Sequence, residues 1–321
     1  MKIKRLHIKN FKSIADLEII EPNPFTVFVG PNGSGKSNIF ESLEFLNLSL
    51  KIGRFHLQGL FGGEENFINY KLLHENLTIS LHSKSSFLEI YSSFKLAERD
   101  YFTNPDGNYD DHLEIFANFS RIFINNTSLQ KLNYKDNTKL TLSTDNFEKV
   151  LKRLLEDENL NEEITEWLKL FIPGFERVEI ISSSLSGTDT LLIYEKGTSK
   201  PFTKELISDG TYNILAILTA IFQSDEPQFL CLEEPENGLN PKVIKELVGL
   251  FRYACEEKGH YIWLNTHSQS LVSQLEAHEI ILVNKKEGET KVKQLKKDLN
   301  LYGLPMDEAW LSNALGGGLP W

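Results

Sequence analysis

Cysteine is scarce in this 321-residue chain: only Cys231 and Cys255 occur. Two thiols exclude a disulfide framework and a cysteine-built zinc site, and they fit a reducing compartment, so a cytoplasmic location is expected. No apolar run approaches the ~20 residues that a membrane span needs, so no membrane partner is expected. The N-terminus, MKIKRLHIKNFKSI, alternates charge with apolar residues and lacks a signal-peptide core. Basic residues are in the minority, 34 Lys and Arg against 45 Asp and Glu, for a formal net charge of −11. Wholesale binding of nucleic acid through a basic coat is therefore disfavoured, while a local patch stays compatible with the charge. Internal repeats, coiled-coil heptads and a disordered linker are also missing. What remains is 40% hydrophobic and 25% charged, the composition of a folded globular protein. At roughly 150 residues per domain, the length suits two lobes or one large α/β domain.

The pattern changes character along the chain. Lys2–Ile8 alternates loosely, and the apolar run Phe25–Val29 reads as a buried strand entering GPNGSGKS. Asn38–Leu48 follows with helical spacing. Residues 50–75 are glycine-rich and loop-like. From Leu77 to Leu142, the short pieces LTISLH, FLEIYSSF, LEIF, RIFI and KLTL suit an antiparallel sheet. Phe147–Phe171 is helical and stops at Pro173-Gly174, and VEIIS and TLLIYE read as a hairpin. The last third alternates helices (Thr211–Gln223, Pro241–Glu257) with short buried runs (Phe229–Leu232, Tyr261–Leu264), which argues for parallel strands with crossovers. The expected organisation is a core from residues 1–50 and 200–300, an insertion lobe of antiparallel strands and helices over 51–199, and a tail over 301–321. A loose tail is the default reading there, although Trp310 and Trp321 could dock it on the core or on a partner.

Gly30-Pro31-Asn32-Gly33-Ser34-Gly35-Lys36-Ser37 satisfies G-x-x-x-x-G-K-[ST] in full. Glycines let such a loop wrap closely, so that backbone N–H groups point at a β-phosphate. Lys36 brings positive charge to the β/γ-phosphates, and Ser37 offers a hydroxyl to Mg²⁺. The helix that starts near Lys36 turns its positive end to the same anion. An apolar strand before and an amphipathic helix after supply the context that separates this motif from a glycine-rich turn capping an unrelated helix. ATP and Mg²⁺ are the expected ligands, with Asn32, Gly33, Ser34, Gly35, Lys36, Ser37 and Asn38 around the phosphates.

The run Phe229-Leu230-Cys231-Leu232 ends in Glu233-Glu234-Pro235. Ligands of open parallel sheets sit beyond the carboxyl ends of the strands. Glu233 is expected to support Mg²⁺, and Glu234 to orient and deprotonate an attacking water. A solvated acid cluster at a helix start is the blander alternative. Thr266-His267-Ser268 ends the next apolar strand, placing His267 to hydrogen-bond a γ-phosphate. The lysines at 285, 286, 291, 293, 296 and 297, interrupted by Glu287 and Glu289, read as a solvated hairpin rather than a DNA-facing patch.

Taken in order, IKNFKSI, GPNGSGKSN, LISDGT, FLCLEEPENGLNP and LNTHS resemble the RecF/SMC/OLD branch of ABC-type ATPases. The chain is most similar to the stand-alone bacterial AAA_21-like members without a long coiled coil. The motifs span residues 1–270, and the middle of the chain carries little of the match. The resemblance implies an α/β head with a mixed sheet. It makes Ser208-Asp209-Gly210-Thr211 a signature motif, in which Ser208, Asp209 and Gly210 meet the nucleotide held by a second protomer. A helix N-terminus led by a serine is itself an anion site. Glu236–Pro241 would be a loop crossing the dimer interface. Lys12 would take the place of a basic residue near the nucleotide, or else be a solvated strand-end lysine, and Gln58 is the one candidate for the family's Q-loop glutamine. One departure stands out: relatives commonly carry Asp where Glu233 stands, one methylene shorter.

The expected function is Mg²⁺-dependent ATP hydrolysis, with Glu234 and His267 catalytic and Ser37 and Glu233 at the metal. ATP would close a head-to-tail homodimer and hydrolysis would open it, controlling a partner's activity in DNA repair or phage defence. The alternative is a nucleotide-gated scaffold for a separate effector nuclease, with hydrolysis only as a reset. An effector nuclease and DNA are thus the expected partners beyond the second copy.

Overall fold

The computed structural model describes residues 2–52, 54–72, 75–83, 87–92, 101–102, 118–124, 137–182 and 188–319. Its centre is a six-stranded sheet. β3 (Phe25–Val29), β11 (Phe229–Glu233) and β12 (Tyr261–Thr266) are buried at every position, as strands covered on both faces must be. They run parallel with β7 (Phe119–Ile122) at one edge, β13 (Ile280–Lys286) on the other side, and β14 (Glu289–Gln294) antiparallel beyond it. The spatial order is β14-β13-β3-β12-β11-β7.

Alternation along these strands sorts the core into two layers. Val27, Val29, Leu230, Leu232, Ile262, Leu264 and Leu282 point to one face. There they meet α3 (Phe147–Leu155), α4 (Glu158–Phe171), α5 (Asp209–Phe222) and α6 (Pro241–Glu257). Phe28, Phe229, Cys231, Trp263, Ile281 and Val283 point to the other. That face packs on α1 (Lys36–Lys51) and on a five-stranded antiparallel sheet. The sheet has the order β2-β1-β4-β5-β6, from β1 (Ile3–Phe11), β2 (Ile14–Ile20), β4 (Leu77–Ser83), β5 (Phe87–Ser92) and β6 (Tyr101–Phe102). A third sheet, β8 (Phe175–Ser182), β9 (Asp189–Glu195) and β10 (Phe202–Thr203), lies with the first layer. Helix α2 (Arg54–Leu60) follows α1, and α7 (Gln269–Val272) and α8 (Met306–Leu311) complete the fold.

Several expectations need correction. Arg121–Ile124 was expected in an antiparallel lobe, but β7 pairs parallel with β11, Arg121 opposite Cys231. A four-residue apolar run does not encode its partner or its direction. The KLTL piece forms no strand: Leu140 N–H donates to the Gln223 side chain and Thr141 N–H to Asn146, so side chains take the place of a ladder. β4 lies against β1, tying residues after 51 into the N-terminal sheet. The stretch after 301 is docked rather than loose. Trp310 is 1% exposed, its Nε1–H donates to Gly318 O at 2.5 Å, and Gly318 N–H donates to Asn284 Oδ1 at 2.5 Å. LEIF and Trp321 lie outside the described residues. Cys231 is fully buried, as a small core residue would be.

Candidate nucleotide site

Register brings the motifs together. Val29 stands opposite Thr266 and Glu233 opposite Asn265, so the loop after β3, the acid pair after β11 and His267 after β12 all leave one edge of the sheet. The phosphate loop needs its glycines individually. A Cβ on Gly30 would lie 2.2 Å from Val283 O. Gly35 has φ +97°, and a Cβ there would lie 1.9 Å from Thr290 Oγ1. Thr290, buried in β14, donates to Ser34 O at 2.9 Å and meets Ser13 Oγ at 2.6 Å, while Asn38 Nδ2 donates to Ser13 Oγ at 2.6 Å. The loop is thus buttressed by the β1–β2 turn and by the C-terminal hairpin.

Helix α1 begins after Gly35 with no side-chain cap, which leaves its positive end open to an anion. The Lys36 ammonium donates to Gly30 O at 2.7 Å and Pro31 O at 3.0 Å. Burial pushes its pKa down, against the opposing charges of Glu234, Glu233 and Glu236. Asn32 and Gly33 are exposed at the loop tip. An uncapped 16-residue helix, left-handed glycines and one buried ammonium fit a polyphosphate.

Glu233 continues the face of Cys231 two residues on, which is the α1 face. Ser37 Oγ donates to its Oε2 at 2.7 Å, and Asn265 Nδ2 donates to the same oxygen at 2.5 Å. The other oxygen is held by Arg121, from Nε at 2.8 Å and Nη2 at 2.6 Å. Arg121 Nη1 reaches Glu44 at 2.7 Å and Glu41 at 3.7 Å, and Glu41 also pairs with Lys12. Both ends of the Arg121–Glu233 pair are almost dry, with side chains 3% and 2% exposed. Burial works against the Arg121 charge, but Glu233, Glu44 and Glu41 more than offset it, and its pKa is raised. Among the described residues no group of three His, Cys, Asp or Glu side chains could hold a metal ion alone. Ser37 Oγ and Glu233 Oε2 would instead offer two neighbouring oxygens, a set that fits an Mg²⁺ completing its shell with water and phosphate.

Glu234 is different. Its φ of +46° is unusual for a residue with a side chain, and its N–H is held by Asn265 O at 3.2 Å and Asn265 Oδ1 at 3.0 Å. Its carboxylate meets His267 Nδ1 at 3.0 Å and Asn237 Nδ2 at 3.2 Å. A carboxylate only accepts, so Nδ1–H is the donor.

Ser208 is the exposed N-cap of α5, accepting from Thr211 N–H at 3.1 Å. Asp209 is exposed and Gly210 buried. A Cβ on Gly210 would lie 2.5 Å from Gly238 O, and Asn213 Nδ2 donates to Asn237 O at 2.6 Å. The start of α5 is thereby packed on the loop after Glu234. Lys12 is engaged by Glu41 in a left-handed turn position (φ +48°), one step removed from the Glu233 set. Gln58 sits half-buried on α2. The strand flanking Glu233 is β7, which makes Arg121 the missed residue of the site, along with Asn265, Thr266 and Glu236. Arginine inside an apolar run was the available signal, since that charge needs a buried partner.

A phosphate loop, an acid pair on the adjoining parallel strand and a histidine at the next strand end, set on this mixed sheet, define a RecF/SMC-like ABC-type ATPase. The AAA_21 family model, described as "AAA domain, putative AbiEii toxin, Type IV TA system", matches residues 25–273, and the chain belongs to that family. The chromosome partition protein Smc of Methanococcus voltae is 30% identical over 116 residues, 34% of this chain and 9% of that protein. The DNA replication and repair protein RecF of Lactococcus lactis subsp. cremoris (strain MG1363) is 42% identical over 50 residues, 15% of this chain and 14% of that protein. The chain thus spans only a small part of these relatives' length. Solved SMC heads match nearly whole. The SMC head domain from Thermotoga maritima superposes with TM-score 0.55 at 14% identity, covering 92% of this chain and 100% of that one. The SmcHead bound to the C-winged helix domain of ScpA gives 0.61 at 17%, covering 92% and 98%. At such identities the likeness is one of fold. Among the described residues no helix is long and apolar enough to cross a membrane.

Proposed function

We propose that the chain binds Mg²⁺-ATP at the phosphate loop and hydrolyses it, with Glu234 as the general base. The observation that carries this reading is the placement of Glu234: half-open, beside His267, at the sheet edge where Lys36 and Ser37 stand. Lys36 exchanges its loop carbonyls for phosphate oxygens, and the start of α1 faces the same charge. Ser37 and Glu233 would hold the metal, which supplies charge neutralisation on the phosphates. Glu234 orients the attacking water and takes its proton, and His267 holds the carboxylate in place. Ser208, exposed at the start of α5, meets the γ-phosphate of a nucleotide on a second copy, so ATP closes a head-to-tail dimer and hydrolysis releases it. The dimer cycle then drives a separate effector in a repair or phage-defence setting; the printed name of the DNA replication and repair protein RecF supports the repair reading. The test is phosphate release with ATP and Mg²⁺, alongside the mass of the particle. The wild type is expected to turn over and to dimerise with ATP, and Lys36→Ala to do neither. No Mg²⁺-dependent turnover by the wild type would overturn the reading.

A further inference from the structure

We propose that Glu236 is a positioning residue that works as a neutral acid: its carboxyl ties the loop after Glu234 to the turn carrying His267 and leaves the charge of Lys36 to the phosphates. The proposal rests on the ATPase reading above and deepens it.

Glu236 lies two residues beyond Glu234 but is 5% exposed. Its Oε1 accepts from Thr266 Oγ1–H. Thr266, itself fully buried, accepts from Ser268 N–H at 2.9 Å through that same hydroxyl. Glu236 O accepts from Leu239 N–H at 3.0 Å. One side chain thus joins residues 236–239, which pack on the start of α5, to the residues on either side of His267. His267 in turn meets Glu234 at 3.0 Å. Among the described residues the second oxygen, Oε2, is buried with no hydrogen-bond partner.

A carboxylate with a bare, dry oxygen is the costly form of this group, and the acid is the cheap one. The groups that face it are Thr266 on β12, Glu234 at the end of β11 and Lys36 at the head of α1. Burial raises its pKa most, and Glu234 adds to the rise. The Thr266 hydrogen bond, its own backbone N–H and Lys36 oppose this, leaving a pKa of about 7. Electrostatics gives the proton a purpose. Lys36 already sits among Glu233 and Glu234, and a third carboxylate would draw its ammonium back from the phosphates. It would also add a like charge beside the base.

Glu236→Gln copies the neutral acid, whereas Glu236→Ala removes the link to Thr266. Turnover would be followed from about pH 5.5 to 8.5 for all three proteins. The Ala variant is expected to lose about tenfold or more in kcat at every pH with ATP affinity retained, as a transition-state effect should read. Gln is expected to restore the rate below pH 7 and to lack the wild type's decline above it. Urea unfolding gives a readout independent of hydrolysis. A folded-state pKa raised above the ordinary carboxylate value contributes stability that is full at low pH and is lost as pH rises through about 7. The unfolding constant of the wild type, divided by that of the Gln variant, should therefore rise by roughly 10- to 100-fold from pH 5.5 to 8.5. A Gln variant as impaired as Ala, or a ratio flat with pH, would show that the ionised form is the working one and overturn the proposal. If the wild type hydrolyses no ATP, the ATPase reading fails, and the unfolding series still decides where the proton is.

Discussion

Glu233 and Glu234 are consecutive residues at the end of one strand, and their surroundings oppose each other in burial, charge and backbone. Glu233 is dry, in an ordinary strand conformation, with one oxygen given to Arg121 and the other to Ser37 and Asn265. Glu234 is partly open, in a left-handed backbone position, and its carboxylate meets His267 and Asn237. The first arrangement fixes a charge, as a metal-supporting acid requires. The second leaves a carboxylate free to meet water, with the backbone kept unusual by two acceptors from Asn265. Under the proposed function neighbouring acids would take different tasks, because the pleat turns one toward α1 while the chain's departure from the strand turns the other out.

The largest expected effect separates the two acids. Glu234→Gln should lower kcat by about 10²- to 10⁴-fold, the usual contribution of a general base, with ATP affinity and folding unchanged. Glu233→Gln should instead weaken the Mg²⁺ dependence of ATP binding and destabilise the fold, since Arg121 loses a buried counter-charge. Titrating nucleotide at several Mg²⁺ concentrations, beside steady-state rates, measures both. Two variants with the same profile would break the comparison.

Arg121 is next. Replacing it with Met keeps the volume but leaves Glu233 and Glu44 buried without their cation, a change that costs about 3–5 kcal/mol in comparable buried pairs. Denaturant unfolding checks it, and a cost below 1 kcal/mol would mean that the carboxylates find water or a proton instead. Adding Glu44→Gln to that variant should recover part of the loss, because one of the stranded charges is gone.

This contrast also shows how far the sequence could be read. The phosphate loop, the acid pair and His267 are each specified within eight residues, so strand-end position alone brings them to one edge. The parallel order of β3, β11 and β12 follows from their fully apolar runs and helical crossovers. Arg121 could not be assigned that way. It reaches Glu233 across 112 positions of sequence, through a strand whose partner only the fold decides. Lys12 could be read either as a basic residue near the nucleotide or as a solvated strand-end lysine, and its partner Glu41 depends on the helix phase of α1. The burial of Glu236 depends on how the loop after β11 folds under Thr266, and its spacing from Glu234 says nothing about exposure. The docked stretch after 301 rests on Trp310 and on glycines with φ values of +74°, +149° and +71° at 316–318. A glycine run reads equally as a loose tail.

Asn265 bridges the two acids and should show an intermediate effect. Asn265→Ala removes an amide that serves Glu233 and the Oδ1 that receives Glu234 N–H, while the main-chain bond at 3.2 Å stays. Hydrogen bonds to charged groups contribute about 1.5–3 kcal/mol, and the loss should appear in both stability and kcat. An effect on stability alone would separate Glu234 from the bridge.

Ser208 should give the smallest change in the isolated chain and the most selective one in the dimer. Its hydroxyl oxygen accepts from Thr211 N–H at 3.1 Å, and Thr211 Oγ1 lies 2.9 Å away. Ser208→Ala therefore removes an N-cap, at about 1 kcal/mol, with or without nucleotide. A hydroxyl that accepts from its own helix still has a proton to donate, so capping and contact with a second copy's γ-phosphate can operate together. Ser208→Thr keeps both capacities and should behave as wild type. Ser208→Ala should lose ATP-dependent dimerisation beyond what its loss of stability explains, and Ser208→Arg should abolish it by bulk. Sedimentation with ATP in a Glu234→Gln background, where the closed form is not hydrolysed away, makes the comparison clean. If Ser208→Ala dimerises there as well as its parent, Ser208 is a helix cap alone and the cross-protomer contact belongs to another residue.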